Sequence, residues 1–94
     1  MLVLEPAPKV IAELRRLFLN ARIVGWKYEL AGTAEEVWEK GERQMLENRT
    51  DLCVVNGAAY GIGFGILERD GTRAEMRGKE ALGEWLAAWL ARHG

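Results

Sequence analysis

Ala21-Arg22-Ile23-Val24-Gly25-Trp26-Lys27-Tyr28, then Thr33-Ala34-Glu35-Glu36, then Asp51-Leu52-Cys53-Val54-Val55-Asn56: these three stretches, in this order, decide the fold. Ile23 and Val24 are consecutive β-branched residues, the pattern of a strand buried on both faces. Leu52 to Val55 is a second run of the same kind. Between them Gly32 breaks the pattern, and Thr33 with Glu36 forms a capping box, in which the Thr33 hydroxyl accepts from the Glu36 N–H and Glu36 reaches back. The spacing predicts a helix from there to about Glu47. Its apolar face is Val37, Gly41 and Met45, with Trp38 and Leu46 on the flank. Gly41 inside that helix costs about 1 kcal/mol relative to Ala, which a close approach to a neighbouring element would offset. Strand, helix, strand at this spacing is a βαβ unit, with parallel strands and a right-handed crossover.

Working outward, Leu2-Val3-Leu4 is a short apolar run, a strand or strand remnant, closed by Pro6 and Pro8. Val10, Ile11, Leu14, Leu17 and Phe18 follow at helical spacing, and Asn20 ends that helix. On the other side, Gly57 to Gly65 reads as a loop. Ile66–Arg69 and Thr72–Met76 flank Asp70-Gly71, the signal of a two-residue hairpin turn. The last helix starts at Gly78 or Lys79, with Leu82, Trp85, Leu86, Trp89, Leu90 and His93 along one stripe. The expected fold is α/β: a three-layer, Rossmann-like partial sheet with a C-terminal β-hairpin and helix, residues 1–94 forming a single domain. So small a sheet has open edges and poorly covered faces, which predicts a partner: a second copy, or a missing half of a larger domain.

Composition narrows the function. With 49% hydrophobic and 29% charged residues the 94-residue chain is a globular domain and not a disordered tail. A formal net charge of -1 argues against a nucleic-acid binder. No apolar stretch approaches the ~20 residues of a membrane-spanning helix, and the start lacks the features of a signal peptide. Cys53 cannot form an intramolecular disulfide and reads as a buried small hydrophobe, so a cytoplasmic location is expected. The chain has no serine, which excludes a Ser-His-Asp triad, and no metal-ligand cluster. Glu35, Glu36, Glu39, Glu42 and Glu47 read as a solvated helix face.

In open α/β sheets ligands bind beyond the carboxyl ends of parallel strands. Lys27, Glu29 and Asn56 are the polar residues best placed there. Asn56 can read a base or ribose with both donor and acceptor, and is equally at home as a turn former at a strand end. Gly61-Ile62-Gly63-Phe64-Gly65 is a poor dinucleotide fingerprint, because it leads into a hairpin and not a helix. Its bare backbone suits close approach to a ligand, or a wide turn feeding the hairpin.

Several of these stretches, taken together, resemble one family. Ala21 to Glu29 looks like the "ivGfKxE" strand end of the phosphopantothenate–cysteine ligase domain, the second half of the bifunctional DNA/pantothenate metabolism flavoprotein of coenzyme A biosynthesis. Asp51 to Asn56 resembles its "DLivaN-D" strand, Gly61 to Gly65 its "GxGFG" loop, Lys79-Glu80 its "sKeevA" helix start, and Pro8-Lys9-Val10-Ile11 with Leu14 its "tPkIiaeL" helix. The similarity runs along essentially the whole chain and covers the C-terminal half of that ligase domain. The resemblance implies CTP or ATP with magnesium, activation of the phosphopantothenate carboxylate as an acyl nucleotide, and attack by cysteine to form an amide. It implies no flavin on this segment. By position Lys27 and Tyr28 would border the base, Asn56 would contact ligand and Phe64 would cover it, while catalytic residues stay unassigned. The hairpin would serve a homodimer, and a separate N-terminal half is a possible second partner. Two positions depart from the pattern: bacterial members carry Asp where this chain has Gly57, and a lysine-rich run where it has Gln44-Met45-Leu46-Glu47-Asn48-Arg49. The implied function is a ligase-like domain that binds nucleotide and needs a partner half; the alternative is a non-catalytic dimerisation or interaction domain of the same fold.

Overall fold

A computed structural model describes Leu2–Leu4 and Arg22–His93. The helix expected from Val10 to Phe18 lies outside the described residues. The order is β1 (Leu2–Leu4), β2 (Arg22–Tyr28), α1 (Ala34–Asn48), β3 (Leu52–Asn56), β4 (Phe64–Glu68), β5 (Arg73–Met76) and α2 (Lys79–His93). All five strands form one sheet in the order β1-β2-β3-β4-β5. β1, β2 and β3 run parallel, β4 and β5 antiparallel. β2 pairs with β3 from Val24 opposite Leu52 to Tyr28 opposite Asn56, as the βαβ spacing predicts.

Side chains of a strand alternate between faces, so the central strands β3 and β4 each feed two cores. Cys53, Val55 and Leu67 join Val37, Trp38 and Met45 of α1. Val24, Leu52, Val54 and Ile66 join Leu82 and Trp89 of α2. The sheet is therefore the middle of three layers, which is why its central residues are apolar on consecutive positions.

α1 opens on the capping box: Glu36 N donates to Thr33 Oγ1 at 3.2 Å, and Thr33 N donates to Glu36 Oε1 at 2.9 Å. The Thr33 backbone N–H first, and then the Thr33 hydroxyl, hold the Glu36 carboxyl below the usual carboxylate range. Gly41 makes the close approach its helix position requires: a Cβ there would lie 2.7 Å from Val55 Cγ1. Trp38 is fully in the core and not on the flank. It lies over Gly65, whose missing side chain makes room for the indole.

Three expectations change at the C-terminal end. β4 begins at Phe64, so the loop after β3 is two residues shorter than the glycines suggest. The hairpin loop has three residues, Arg69, Asp70 and Gly71, since Glu68 N bonds Thr72 O and Gly71 N bonds Glu68 O. A two-residue type I′ turn would need positive φ at both central residues. Here only Gly71 takes it, with φ 93°, and Asp70 Oδ1 accepts from Thr72 N at 2.9 Å instead. Finally, of the six stripe positions of α2 only Leu82 and Trp89 are buried. Trp85, Leu86 and Leu90 are half-buried, and exposed His93 stacks on Trp89 with ring centroids 4.9 Å apart. No described helix is long and apolar enough to cross a membrane.

Candidate functional site

The carboxyl ends of β2 and β3 are held together past the last strand pair. Glu29 N donates to Asn56 O at 3.0 Å, and Ala59 N donates to Glu29 O at 3.1 Å. The chain can fold back this tightly because Gly57 sits between them at φ 112°. Tyr60 N and Gly61 N then both bond Gly57 O, closing the turn.

Strand alternation sorts the residues here onto two faces. Trp26, Tyr28, Asn56 and Phe64 share the α2 face. Trp26 Nε1 donates to Asn56 Oδ1 at 2.9 Å, and the Trp26 and Phe64 rings meet edge to face, centroids 5.9 Å apart. Tyr28 is 59% exposed. The result is a half-buried aromatic shelf, packed against the α2-side core and carrying one amide, on which a planar heteroaromatic ring can stack while polar atoms fix its orientation.

Lys27 does not join that shelf. One residue out of phase, it lies on the α1 face with Glu29, Lys40, Arg43, Gln44, Glu47 and Asn48 around a cleft of about 360 Å³. Lys27 Nζ and Lys40 Nζ both approach Glu29 Oε1, at 3.2 and 3.7 Å. The hydrogen bond from Lys27, foremost, holds the Glu29 carboxyl below its usual range. Both ammonium groups are thus partly neutralised by the same carboxylate. The structure brings Tyr28, Asn56 and Phe64 together and separates Lys27 from them by the thickness of the sheet.

Sequence reasoning left Trp26 unassigned. Its signal was present: two residues before Tyr28 and opposite Val54, it has the face of Asn56 once the register is known. Among the described residues no group of three His, Cys, Asp or Glu could hold a metal ion.

Tyr60 fixes the connection from β3 to β4. Its hydroxyl donates to Glu75 Oε1 of β5 at 2.9 Å, and its ring meets Trp38 edge to face at 5.6 Å. Burial, then the Glu75 carboxylate, pushes the phenol up to about 12 from 10.0. A raised folded-state pKa contributes stability that is whole below the unfolded value and disappears as pH rises through the folded one. Wild-type stability relative to Tyr60→Phe is therefore expected to fall between about pH 10 and pH 12. Urea unfolding of both proteins at the two ends of that window checks it; a constant difference contradicts it.

No family model matches this sequence, and no curated protein matches it. Among solved structures it is similar to the DNA/pantothenate metabolism flavoprotein from Streptococcus pneumoniae. The TM-score is 0.80 at 15% identity, covering 89% of this chain and 40% of that one. At that identity the likeness shows the fold, an α/β Rossmann-like arrangement. The chain spans 40% of the length of that structure.

Proposed function

We propose that this chain is a phosphopantothenate–cysteine ligase-like domain that binds a nucleotide at the carboxyl ends of β2 and β3 and needs a further polypeptide segment for amide formation. The observation that carries the reading is the shelf of Trp26, Tyr28, Asn56 and Phe64, built at the ligand-binding end of a sheet shaped like a pantothenate metabolism flavoprotein. In the reaction, a substrate carboxylate oxygen attacks the nucleotide α-phosphorus and pyrophosphate leaves. The cysteine amine then attacks the acyl carbon and expels the nucleoside monophosphate. This chain's part is to seat the base: the rings stack on it and Asn56 hydrogen-bonds it. Charge developing on the phosphates must be met by fixed cations. Lys27 and Lys40 are on the other face and share Glu29, so those cations are assigned to the further segment.

The reading extends to a second copy at β5. That strand is an edge of the sheet, and its Met76 and Trp85 of α2 are half-buried. Trp89 is buried within the chain and is not part of such a surface.

Titration calorimetry with CTP and with ATP tests the nucleotide site. Binding in the millimolar range is expected, weakened about tenfold by Asn56→Ala through loss of the amide contact. No heat with the fold intact would remove the reading. One observation favours the alternative of a non-catalytic interaction domain: the position after Asn56 has no room for any side chain, since a Cβ on Gly57 would lie 2.2 Å from Glu29 O. Pyrophosphate release from CTP, 4′-phosphopantothenate and cysteine, restored by mixing this chain with an N-terminal ligase half, would reject that alternative.

A further inference from the structure

We infer that Trp26 is a positioning residue that holds the Asn56 amide in one orientation, so that the shelf offers hydrogen-bond donors and selects a ligand group that accepts. The inference rests on the nucleotide reading for its ligand, and on geometry for the lock itself.

A free asparagine amide presents either its oxygen or its NH2, because a half-turn about the terminal torsion exchanges them at little cost. Here the exchange is blocked. The indole Nε1–H can only donate, and at 2.9 Å it faces Oδ1. Turning the amide over would set NH2 against N–H, two donors with no acceptor between them, in a half-buried place where an unmade hydrogen bond is costly. Oδ1 is therefore used inward, and the two N–H groups of Nδ2 have no partner among the described residues.

The clamp is itself held. The Trp26 ring abuts Phe64 edge to face. The Trp26 carbonyl accepts from Gln44 Nε2 of α1 at 3.2 Å, through the opposite side of the sheet. The Asn56 carbonyl accepts from Glu29 N, fixing the backbone from which the amide projects. Donor and acceptor thus sit on adjacent strands whose register cannot slip without breaking the pairing of β2 with β3. A ring nitrogen or carbonyl at the edge of a base matches two outward N–H donors. A group that can only donate does not.

Two measurements on the full chain test this. The first needs no ligand. Hydrogen exchange of the Trp26 indole N–H, followed by 15N NMR, is expected to be slowed at least tenfold in the wild type relative to Asn56→Ala. Equal rates overturn the lock. The second compares CTP with 3-deazacytidine triphosphate, in which C–H replaces the ring-nitrogen acceptor. The wild type is expected to favour CTP about tenfold. Trp26→Phe keeps a ring against Phe64 but removes the N–H, and the preference is expected to shrink to about twofold as the amide turns freely. An unchanged preference in Trp26→Phe overturns the selecting role. Slowed indole exchange without any nucleotide heat would sink the nucleotide reading and uphold the lock.

Discussion

Gly57→Ala is expected to lower the free energy of unfolding by about 3 kcal/mol, far more than a single added methyl group would suggest. Two costs coincide. The backbone takes φ 112°, which side-chain-bearing residues rarely adopt. The new Cβ would also stand 2.2 Å from Glu29 O and 2.9 Å from Glu29 N. Those are backbone atoms, and they are engaged: Glu29 O accepts from Ala59 N and Glu29 N donates to Asn56 O. They cannot retreat without breaking the bonds that join the carboxyl ends of β2 and β3. Gly57→Asp meets the same obstacle and is expected to damage this chain at least as much. Urea unfolding measures the loss. A change under about 1 kcal/mol would mean the turn has freedom that its bonding pattern denies.

The parts of this fold legible in the sequence are those set by local chemistry. Thr33 and Glu36 announce the start of α1 because a capping box needs only residues three apart. Ile23-Val24 and Leu52 to Val55 announce doubly buried strands because no water-facing position interrupts them. Gly41 announces a close contact, though not that the neighbour is Val55. The parts that were not legible depend on partners distant in the chain. Asp70-Gly71 marks a hairpin, but the loop length follows from the β4–β5 register, which pairs Leu67 with Arg73. Trp38 looks like a flank residue on a helical wheel. It is in the core because Gly65, on the sheet face directly beneath it, has no side chain. Lys27 sits between two shelf residues in sequence and on the opposite face in space, since which parity faces the shelf is decided by the pairing of three strands. For the same reason Trp26 went unassigned: its role depends on Asn56, thirty positions later.

Trp38 and Gly65 form the second large expected effect, and they are expected to act as a pair. Trp38→Ala removes a buried indole at a cost of about 4 kcal/mol. The indole meets Tyr60 edge to face, and the Arg73 guanidinium lies 4.8 Å above it while bonding both Glu35 oxygens at 3.0 Å. That salt link, through the Arg73 hydrogen bonds first, holds the Glu35 carboxyl low. It is exposed, so the loss on truncation comes chiefly from the core. Gly65→Ala attacks the same contact from the other side. Its Cβ would stand 2.5 Å from Trp38 Cη2, 2.7 Å from Cζ2 and 2.8 Å from Val55 Cγ2. An overpacked site of this kind costs about 2 kcal/mol. Cη2 and Cζ2 belong to the outer ring of the indole, which phenylalanine lacks. Trp38→Phe should therefore open a void where Gly65→Ala places a methyl group, leaving only Val55 to adjust. The double variant is expected to be more stable than the sum of the two single losses predicts, by about 1–2 kcal/mol. Chemical unfolding of the four proteins gives the coupling directly. Strict additivity would show that Trp38 does not rest on Gly65, and that the glycine is there for the strand and not for the indole above it.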